Sequence, residues 1–209
     1  MIITLFGATG RTGMALIKDA LARGHEIRAA VRTAKKLGEF RDRVTALPAD
    51  VLDAEAVAHA IDGADAVVSV IGHSKNSRAD LQKSAAEHIV AAMKRHDLRR
   101  IVALTGAGVR FPEDRPKLFD RVIRLLLKKM QPVVLADSEE YTRIITSSDL
   151  DWTVVRGPML HDKPVTGAYR AGYVGSGPGP RASRAHIAEL ILDELENGNY
   201  LGQAPVVSD

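Results

Sequence analysis

Short apolar runs alternate with longer amphipathic segments along most of the chain, and the two patterns predict different elements. Apolar runs of strand length fall at residues 2–6, 25–32, 44–51, 64–72, 101–105, 151–156 and 204–207. Apolar residues that recur three and four positions apart predict helices at residues 12–23, 54–61, 81–96, 118–130, 137–148 and 183–196. Because strands that alternate with such helices are typical of βαβ units, the chain predicts an α/β fold with a doubly wound, mostly parallel sheet.

The first predicted strand is followed by three glycines spaced three residues apart. Residues 2–13 read Ile-Ile-Thr-Leu-Phe-Gly-Ala-Thr-Gly-Arg-Thr-Gly and lead directly into the first helix. A turn this tight needs backbone angles that a Cβ forbids, and a pyrophosphate must approach the first helical N–H groups closely. The stretch therefore predicts a dinucleotide-binding turn at Gly7, Gly10 and Gly13. Because the spacing is GxxGxxG rather than GxGxxG, a strand-to-helix turn without a ligand is the alternative.

The ends of the other predicted strands extend this site. Right-handed crossovers bring the carboxyl ends of parallel strands to one edge of a sheet, so these residues are expected to share a crevice. The second strand ends at Arg32, where an NAD-selective site presents an acidic residue, and no carboxylate lies between residues 29 and 37. A guanidinium suits the 2′-phosphate of NADP, so NADP(H) is expected in preference to NAD(H); a solvated basic loop is the alternative. Asp50, Gly72 and Thr105 end further strands and are expected near adenine, the cofactor backbone and the nicotinamide.

Composition and charge exclude several classes of function. The chain has 209 residues, which suits one domain spanning 1–209, and it has no cysteine, which excludes disulfides and thiolate chemistry. No run reaches the ~18 apolar residues of a membrane span, and the histidines lack metal-site spacing. A cytoplasmic monomer or homodimer is expected, with no metal, membrane or nucleic-acid partner. The basic helix at residues 118–130 is interpreted as a solvated face.

Five short stretches, spread over most of the chain, carry a family resemblance. They are Gly-Ala-Thr-Gly-Arg-Thr-Gly at 7–13, Val-Arg at 31–32, Asp-Val at 50–51, Ile-Val-Ala-Ala-Met-Lys at 89–94 and Lys-Pro-Val-Thr-Gly-Ala-Tyr at 163–169. Together they resemble the atypical short-chain dehydrogenase family, in its NmrA-like NAD(P)H-binding branch that includes flavin reductases. The resemblance implies a Rossmann-like domain that binds NADPH, with Arg32 and Lys36 at the 2′-phosphate. With the strand ends, it gives as candidate cofactor-binding residues Gly7, Thr9, Gly10, Arg11, Thr12, Gly13, Arg32, Lys36, Asp50, Val51, Ile71, Gly72, Thr105, Gly106, Pro158 and Met159.

Two positions depart from the pattern of those flavin reductases. The residue after Thr105 is Gly106 where they have a serine, and Met159 stands where they have a histidine beside the nicotinamide. Backbone contacts to the nicotinamide can survive both changes. The two differences therefore bear on specificity for a flavin or a tetrapyrrole.

The chemistry expected at this crevice needs little from protein acids. Many short-chain dehydrogenases use a tyrosine with a lysine four residues later, because the ammonium lowers the pKa of the tyrosine. None of the tyrosines here is followed by lysine at that spacing. An acceptor such as a flavin or quinone that water can protonate is therefore expected. The candidate catalytic residues are Thr105, Tyr141, His161 and Arg110, and the last three are alternatively a packed helix residue, a loop histidine and a solvated loop charge.

The leading hypothesis is an NADPH-dependent reductase that transfers hydride to a flavin, quinone or related conjugated acceptor. The alternative is an NmrA-like redox sensor that holds NADP(H) and reports it to a protein partner without chemistry. A sugar epimerase is a third hypothesis, against which the missing Tyr–Lys pair argues. Prolines and glycines punctuate residues 157–182, which are expected to form the substrate loop region.

Overall fold

The computed structural model describes residues 1–164 and 167–209. Its strands are β1 (Ile2–Phe6), β2 (Glu26–Val31), β3 (Thr45–Pro48), β4 (Ala66–Ser69), β5 (Arg100–Gly106), β6 (Asp151–Gly157), β7 (Met159–His161), β8 (Arg170–Gly172), β9 (Arg181–Ser183) and β10 (Val206–Ser208). Its helices are α1 (Arg11–Ala22), α2 (Ala54–Ile61), α3 (Leu81–Arg95), α4 (Leu118–Met130), α5 (Pro132–Thr146) and α6 (Arg184–Asn197), with a 3₁₀ segment at Ala34–Phe40.

The main sheet has eight strands in the order β3-β2-β1-β4-β5-β6-β10-β8. Its neighbouring strands run parallel, apart from β8, which pairs antiparallel with β10. The predicted doubly wound, mostly parallel sheet is confirmed. Strand order reverses beside β1, with β2 on one side and β4 on the other, and such a switch point opens a crevice at the carboxyl ends of the strands.

Two apolar layers form the core, one on each face of the sheet. In β1, Ile3 and Leu5 point into one layer while Phe6 points into the other, as the pleat of a strand requires. Helices α1 and α6 cover the first layer, and α2, α3 and α5 cover the second. Because helices pack on both faces, the central strands are mostly apolar on both of their sides.

Several helix ends lie where the local sequence predicts them. Asp53 precedes α2, and its Oδ1 accepts hydrogen bonds from the N–H groups of Glu55 and Ala56 at 3.0 and 3.1 Å. Gly24 follows α1 with φ of +80° and Gly198 caps α6 with φ of +65°, a region that glycine enters without steric cost. These helix ends depend on residues that lie directly beside them, so they can be predicted from the sequence.

The segment after β6 differs from its prediction. Residues 157–182 were expected to form a substrate loop, but the segment contains β7 and β8 and leads into β9. Strand β7 pairs with β9, and β8 extends the edge of the main sheet through β10. These pairings satisfy backbone groups that a free loop would leave to solvent. Val165 and Thr166, in the stretch used for the family resemblance, lie outside the described residues.

Helix α4 also differs from its prediction, because its outward face is apolar. No residue of α4 is buried, and Leu118, Leu125 and Met130 are 78, 68 and 75% exposed. The charged side chains are solvated as interpreted, since Arg121, Lys128 and Lys129 are exposed, but the exposure of the apolar side chains beside them was not expected. Across the described part of the chain, no helix has both the length and the apolar character needed to cross a membrane.

Candidate functional site

The glycine turn joins β1 to α1 through a compact backbone. Gly7 has φ of +83°, and the N–H of Gly10 donates to the Gly7 carbonyl oxygen at 3.0 Å. A Cβ on Gly7 would lie 2.7 Å from the Val70 carbonyl oxygen, so both space and backbone angle require glycine. The turn is thus held against the end of β4, which is the strand across the switch point.

The amino end of α1 faces the crevice without a side-chain cap. Gly10 is its N-cap and supplies no side-chain acceptor, and the first turn carries no acidic residue. Free N–H groups and the positive end of the helix dipole at such a terminus favour an anion. A Cβ on Gly13 would come within 2.7 Å of the Ala8 carbonyl oxygen and would also meet the Gly7 carbonyl oxygen. Glycine at position 13 therefore allows the first turn of α1 to pack directly against the backbone of Gly7 and Ala8.

The remaining predicted residues on the β2 and β3 side lie around the rim. Arg32 and Lys36 are exposed, one directly after β2 and one in the 3₁₀ segment. Asp50 is half-buried after β3, where its Oδ1 accepts from the Leu52 N–H at 3.0 Å. The carbonyl oxygen of Val51 lies 2.9 Å from Nδ1 of His88. Among the described residues, Arg32 and Lys36 have no ion-pair partner, and Oδ2 of Asp50 accepts no hydrogen bond, so these groups are available to a ligand.

Arg11 and Thr9 lie on the exposed side of the glycine turn. Arg11 forms an ion pair of 3.1 Å with Asp162, which also pairs with Arg184 at 2.8 Å. Thr9 is exposed next to the N-cap of α1. The ion pair therefore draws the Arg11 side chain toward the segment that follows β7.

A cavity of about 350 Å³ opens at the carboxyl ends of β4, β5 and β6. Six of the predicted cofactor-binding residues line it: Thr12, Ile71, Gly72, Thr105, Gly106 and Pro158. The other wall comes from α4, α5 and the link between them, through Leu127, Gln131, Val134, Leu135 and Ser138. Met159 is 52% exposed and is not part of the lining. The cavity is mostly apolar, which suits a ligand with apolar surface.

Thr105 carries the clearest polar feature of this cavity. It is 5% exposed at the end of β5, and its hydroxyl oxygen is buried without a hydrogen-bond partner among the described residues. A buried hydroxyl left unpaired costs ~1–3 kcal/mol, so it is expected to find its partner on a bound molecule. With the glycine cradle, this orphaned group makes the site fit a dinucleotide whose reactive end reaches β5.

A histidine that lines the cavity is paired with a buried carboxylate behind it, and sequence reasoning missed both. Nε2 of His73 is 2.7 Å from Oδ2 of Asp137, a buried residue of α5. Asp137 also accepts from the N–H groups of Gln82 and Lys83 at 2.7 and 2.9 Å, and so caps α3 from a neighbouring helix. His73 is the one titratable side chain among the described residues lining the cavity. The pair has no local sequence pattern, because its members are 64 residues apart.

Tyr141 is not in a position to act on a substrate in this cavity. It is fully buried in α5, where its hydroxyl donates to Oγ of Ser69 at 2.7 Å, and it does not line the cavity. Burial raises the pKa of the Tyr141 hydroxyl well above its ordinary value, although the Ser69 hydrogen bond lowers it. The packed-helix alternative describes Tyr141, because the apolar spacing of α5 turns this position toward the sheet.

Arg110 and His161 also lie away from the cavity. Arg110 lines a separate recess beside α4, and its Nη2 donates to the Asp120 carbonyl oxygen at 3.1 Å. His161 ends β7, where its Nε2 is 2.6 Å from Oδ2 of Asp209. The expectation that these two side chains lie near the substrate is not met, since the chain after β5 and β6 turns each outward to a polar neighbour.

The fold and the crevice define a doubly wound dinucleotide-binding protein. A family model described as NAD(P)H-binding matches residues 7–198, which is most of the chain. The chain therefore belongs to the NAD(P)H-binding family, and its neighbours among solved structures include proteins described as an oxidoreductase and as a short-chain dehydrogenase/reductase.

Individual relatives are similar over most of this chain. The uncharacterized protein YwnB of Bacillus subtilis (strain 168) is 28% identical over 96% of this chain and 94% of its own length. The 3-diazoavenalumate denitrifying reductase of a Streptomyces species is 33% identical over 82% of this chain and 60% of its own length. A short-chain dehydrogenase/reductase of Veillonella parvula, solved in complex with NADP, has a TM-score of 0.82 and 19% identity, with 100% of this chain and 94% of that chain covered. At that identity, the last likeness establishes the fold alone.

Proposed function

We propose that this protein is an NADPH-dependent reductase that transfers hydride to a flavin, a quinone or a related conjugated acceptor. The observation that carries the proposal is the unpartnered Thr105 hydroxyl in an apolar cavity at the carboxyl ends of the strands. The Streptomyces relative named as a reductase supports this class. The reaction belongs in the cytoplasm, and residues 1–209 act as one domain, alone or as a homodimer.

The cofactor site divides into a phosphate end and a reactive end. Gly7, Gly10 and Gly13 let the pyrophosphate approach the N–H groups of α1, while Arg32 and Lys36 hold the 2′-phosphate of NADP(H). Asp50 and Val51 would lie beside adenine, and Thr105, Gly106 and Pro158, which line the cavity, would hold the nicotinamide end. When bound, NADPH supplies hydride.

The protein's own contribution is orientation, exclusion of water and a proton. The apolar walls from α4, α5 and Leu160 stack an acceptor against the reactive end of the cofactor and keep solvent away. A reduced quinone or flavin takes up a proton after hydride arrives. His73 can pass it from the cavity wall, because its ring lines the cavity and its contact with Asp137 holds the ring in place.

The test is NADPH oxidation by the purified protein with FMN and a water-soluble quinone as acceptors, with NADH in parallel. In the Arg32→Ala variant, we expect the KM for NADPH to rise about tenfold or more, because a charged hydrogen bond to phosphate is worth ~1.5–3 kcal/mol. The KM for NADH should stay unchanged. Lys35→Ala is the matched control, since Lys35 is an exposed cation nearby that the proposal does not use.

The outcomes separate the two hypotheses drawn from the sequence. Saturable oxidation that favours NADPH and weakens in Arg32→Ala supports the reductase. Tight NADPH binding without turnover by any acceptor would contradict it and favour a redox sensor. An equal loss for NADPH and NADH in Arg32→Ala would contradict the assignment of Arg32 to the 2′-phosphate.

Thr105→Val tests the reactive end without changing the shape of the side chain. We expect kcat/KM to fall about tenfold, because the hydroxyl loses its hydrogen bond to the bound cofactor. Thermal stability should stay the same or rise, since valine removes a buried hydroxyl that lacks a partner. Thr105→Ser, which keeps the hydroxyl, should retain most of the activity. If Thr105→Val instead lowers the melting temperature and leaves turnover intact, the hydroxyl serves the fold and not the site.

A further inference from the structure

A basic recess lies beside the outward apolar face of α4 and takes no part in the proposed cofactor site. It has a volume of about 480 Å³, and four cations line it: Arg110, Arg121, Arg124 and Lys128. Nη1 of Arg110 is buried without a hydrogen-bond partner among the described residues. One carboxylate, that of Asp114, also lines the recess but is paired with Arg156, and Arg124 is paired with Glu139, so Arg110, Arg121 and Lys128 are the cations that remain for an anion. The recess is thus built to receive an anion.

The segment around the recess is strongly positive, whereas the rest of the chain is not. Residues 115–130 hold six lysines or arginines and one aspartate, so this segment carries +5 while the whole chain carries only +3. The remaining residues therefore have a net negative charge. A second copy of the chain docked on α4 would bring two such segments together, and like charges at an interface cost free energy.

Apolar side chains border the recess on the solvent side of α4. Leu118, Phe119, Leu125, Leu126 and Met130 are between 48 and 78% exposed, and Leu125 also lines the recess. A helix with a broad apolar face and cationic flanks suits the plane of a membrane, where apolar side chains enter the acyl boundary and cations meet headgroups. Leu127 of the same helix lines the cofactor-side cavity, so α4 separates that cavity from the docking face.

We propose that α4 and the basic recess dock the protein on a membrane surface rich in anionic phospholipid, with a phosphate headgroup in the recess. The apolar cavity beneath α4 then takes a lipophilic acceptor from that surface, and this second part rests on the proposed reductase function. Such peripheral docking would differ from the sequence-based expectation of no membrane partner, and the vesicle experiment below decides between the two.

The test compares vesicles of phosphatidylcholine alone with vesicles of phosphatidylcholine and phosphatidylglycerol in equal amounts. We expect about tenfold more protein to co-sediment with the anionic vesicles at low salt, and high salt should reverse this binding. Leu125→Glu and Lys128→Glu should each abolish it. Leu201→Glu is the matched control and should bind as the unaltered protein does, because Leu201 is 50% exposed outside the α4 region.

Four results would overturn the docking site. One is equal binding to both kinds of vesicle, and another is binding that Leu125→Glu leaves intact. The third is a stable dimer in light scattering that Leu125→Glu dissociates, without vesicle binding, which would identify a second copy as the occupant. Saturable binding of inorganic phosphate in the absence of vesicle binding would also overturn it, since the recess would then be a small-anion site.

Turnover distinguishes this proposal from the function on which it partly rests. With a lipophilic quinone in the vesicles, NADPH oxidation should be faster on anionic than on neutral vesicles, and Leu125→Glu should remove the difference. With a water-soluble quinone, Leu125→Glu should match the unaltered protein, because Leu125 does not line the cofactor-side cavity. If vesicles bind but neither quinone is reduced, docking stands and the reductase function fails.

Discussion

Gly13→Ala is expected to abolish NADPH binding and to destabilise the protein by ~1–3 kcal/mol, the usual cost of overpacking. A Cβ at this position would lie 2.7 Å from the Ala8 carbonyl oxygen and would also meet that of Gly7. Both obstacles are backbone atoms of the glycine turn, so neither can rotate away. The turn must open or α1 must shift, and either movement displaces the N–H groups that are proposed to hold the pyrophosphate.

The measurement pairs urea unfolding, followed by the fluorescence of the single tryptophan, with titration of NADPH. Gly72→Ala is the matched control for stability, because a Cβ there meets no atom within 4 Å. Its free energy of unfolding should change by no more than ~0.5 kcal/mol. Loss of NADPH affinity in that stable variant would report the space that the cofactor needs beside Gly72. If Gly13→Ala keeps both its stability and its NADPH affinity, the account of the turn is wrong.

The parts of this molecule that could be predicted are those whose cause lies within a few residues. The glycine turn, the Asp53 cap of α2 and the glycines that end α1 and α6 all belong to this kind. Periodicity adds the sheet class, because each apolar run must be covered on both faces. The expectation that Thr12, Gly72 and Thr105 share one crevice follows from parallel topology, and all three residues line the cavity.

What could not be predicted depends on contacts between distant segments. His73 and Asp137 meet because α5 packs against α3, and the sequence around either residue does not predict this contact. Tyr141 was misplaced because a tyrosine on an amphipathic helix gives no sign of which side of the sheet it will reach. The exposure of the α4 leucines could not be predicted, because an amphipathic helix is expected to bury its apolar side, while the structure turns these leucines outward.

Another long-range contact, the ion pair of Arg156 and Asp114, carries the second large prediction. Both side chains are almost wholly buried, and two bonds of 2.8 Å join Nη1 and Nη2 to the carboxylate. Arg156 also donates to the Ala204 carbonyl oxygen at 2.7 Å and lies 4.9 Å from the centre of the Phe111 ring. Asp114 accepts from the N–H of Val174 at 3.1 Å. The pair thus connects the loop after β5 to β6, to the segment that leads into β10 and to the segment after β8.

Asp114→Ala is expected to destabilise the protein by ~3–5 kcal/mol, because it leaves the Arg156 guanidinium buried without its counter-charge. A double variant with Arg156→Met should recover part of that loss, since it removes the stranded charge. Arg78→Ala breaks an exposed ion pair with Asp80 and should cost no more than ~1 kcal/mol. Urea unfolding of the four proteins measures these differences. Equal losses in Asp114→Ala and Arg78→Ala would show that burial adds nothing to the pair.

Acid should remove the contribution of Asp114 in the unaltered protein. Burial acts to raise the pKa of this carboxyl, but the hydrogen bonds from Arg156 and the N–H groups of Phe111 and Val174 together hold the pKa below its ordinary value. A carboxyl with a lower pKa when folded stabilises the protein above its ordinary pKa of ~3.9, and the effect is lost as the pH falls through the folded pKa. The stability gap between the unaltered protein and Asp114→Ala should therefore be constant near neutral pH and narrow below about pH 4. A gap that does not change down to pH 2 would mean that the carboxylate charge contributes nothing, and that the hydrogen bonds alone fasten the loop to the sheet.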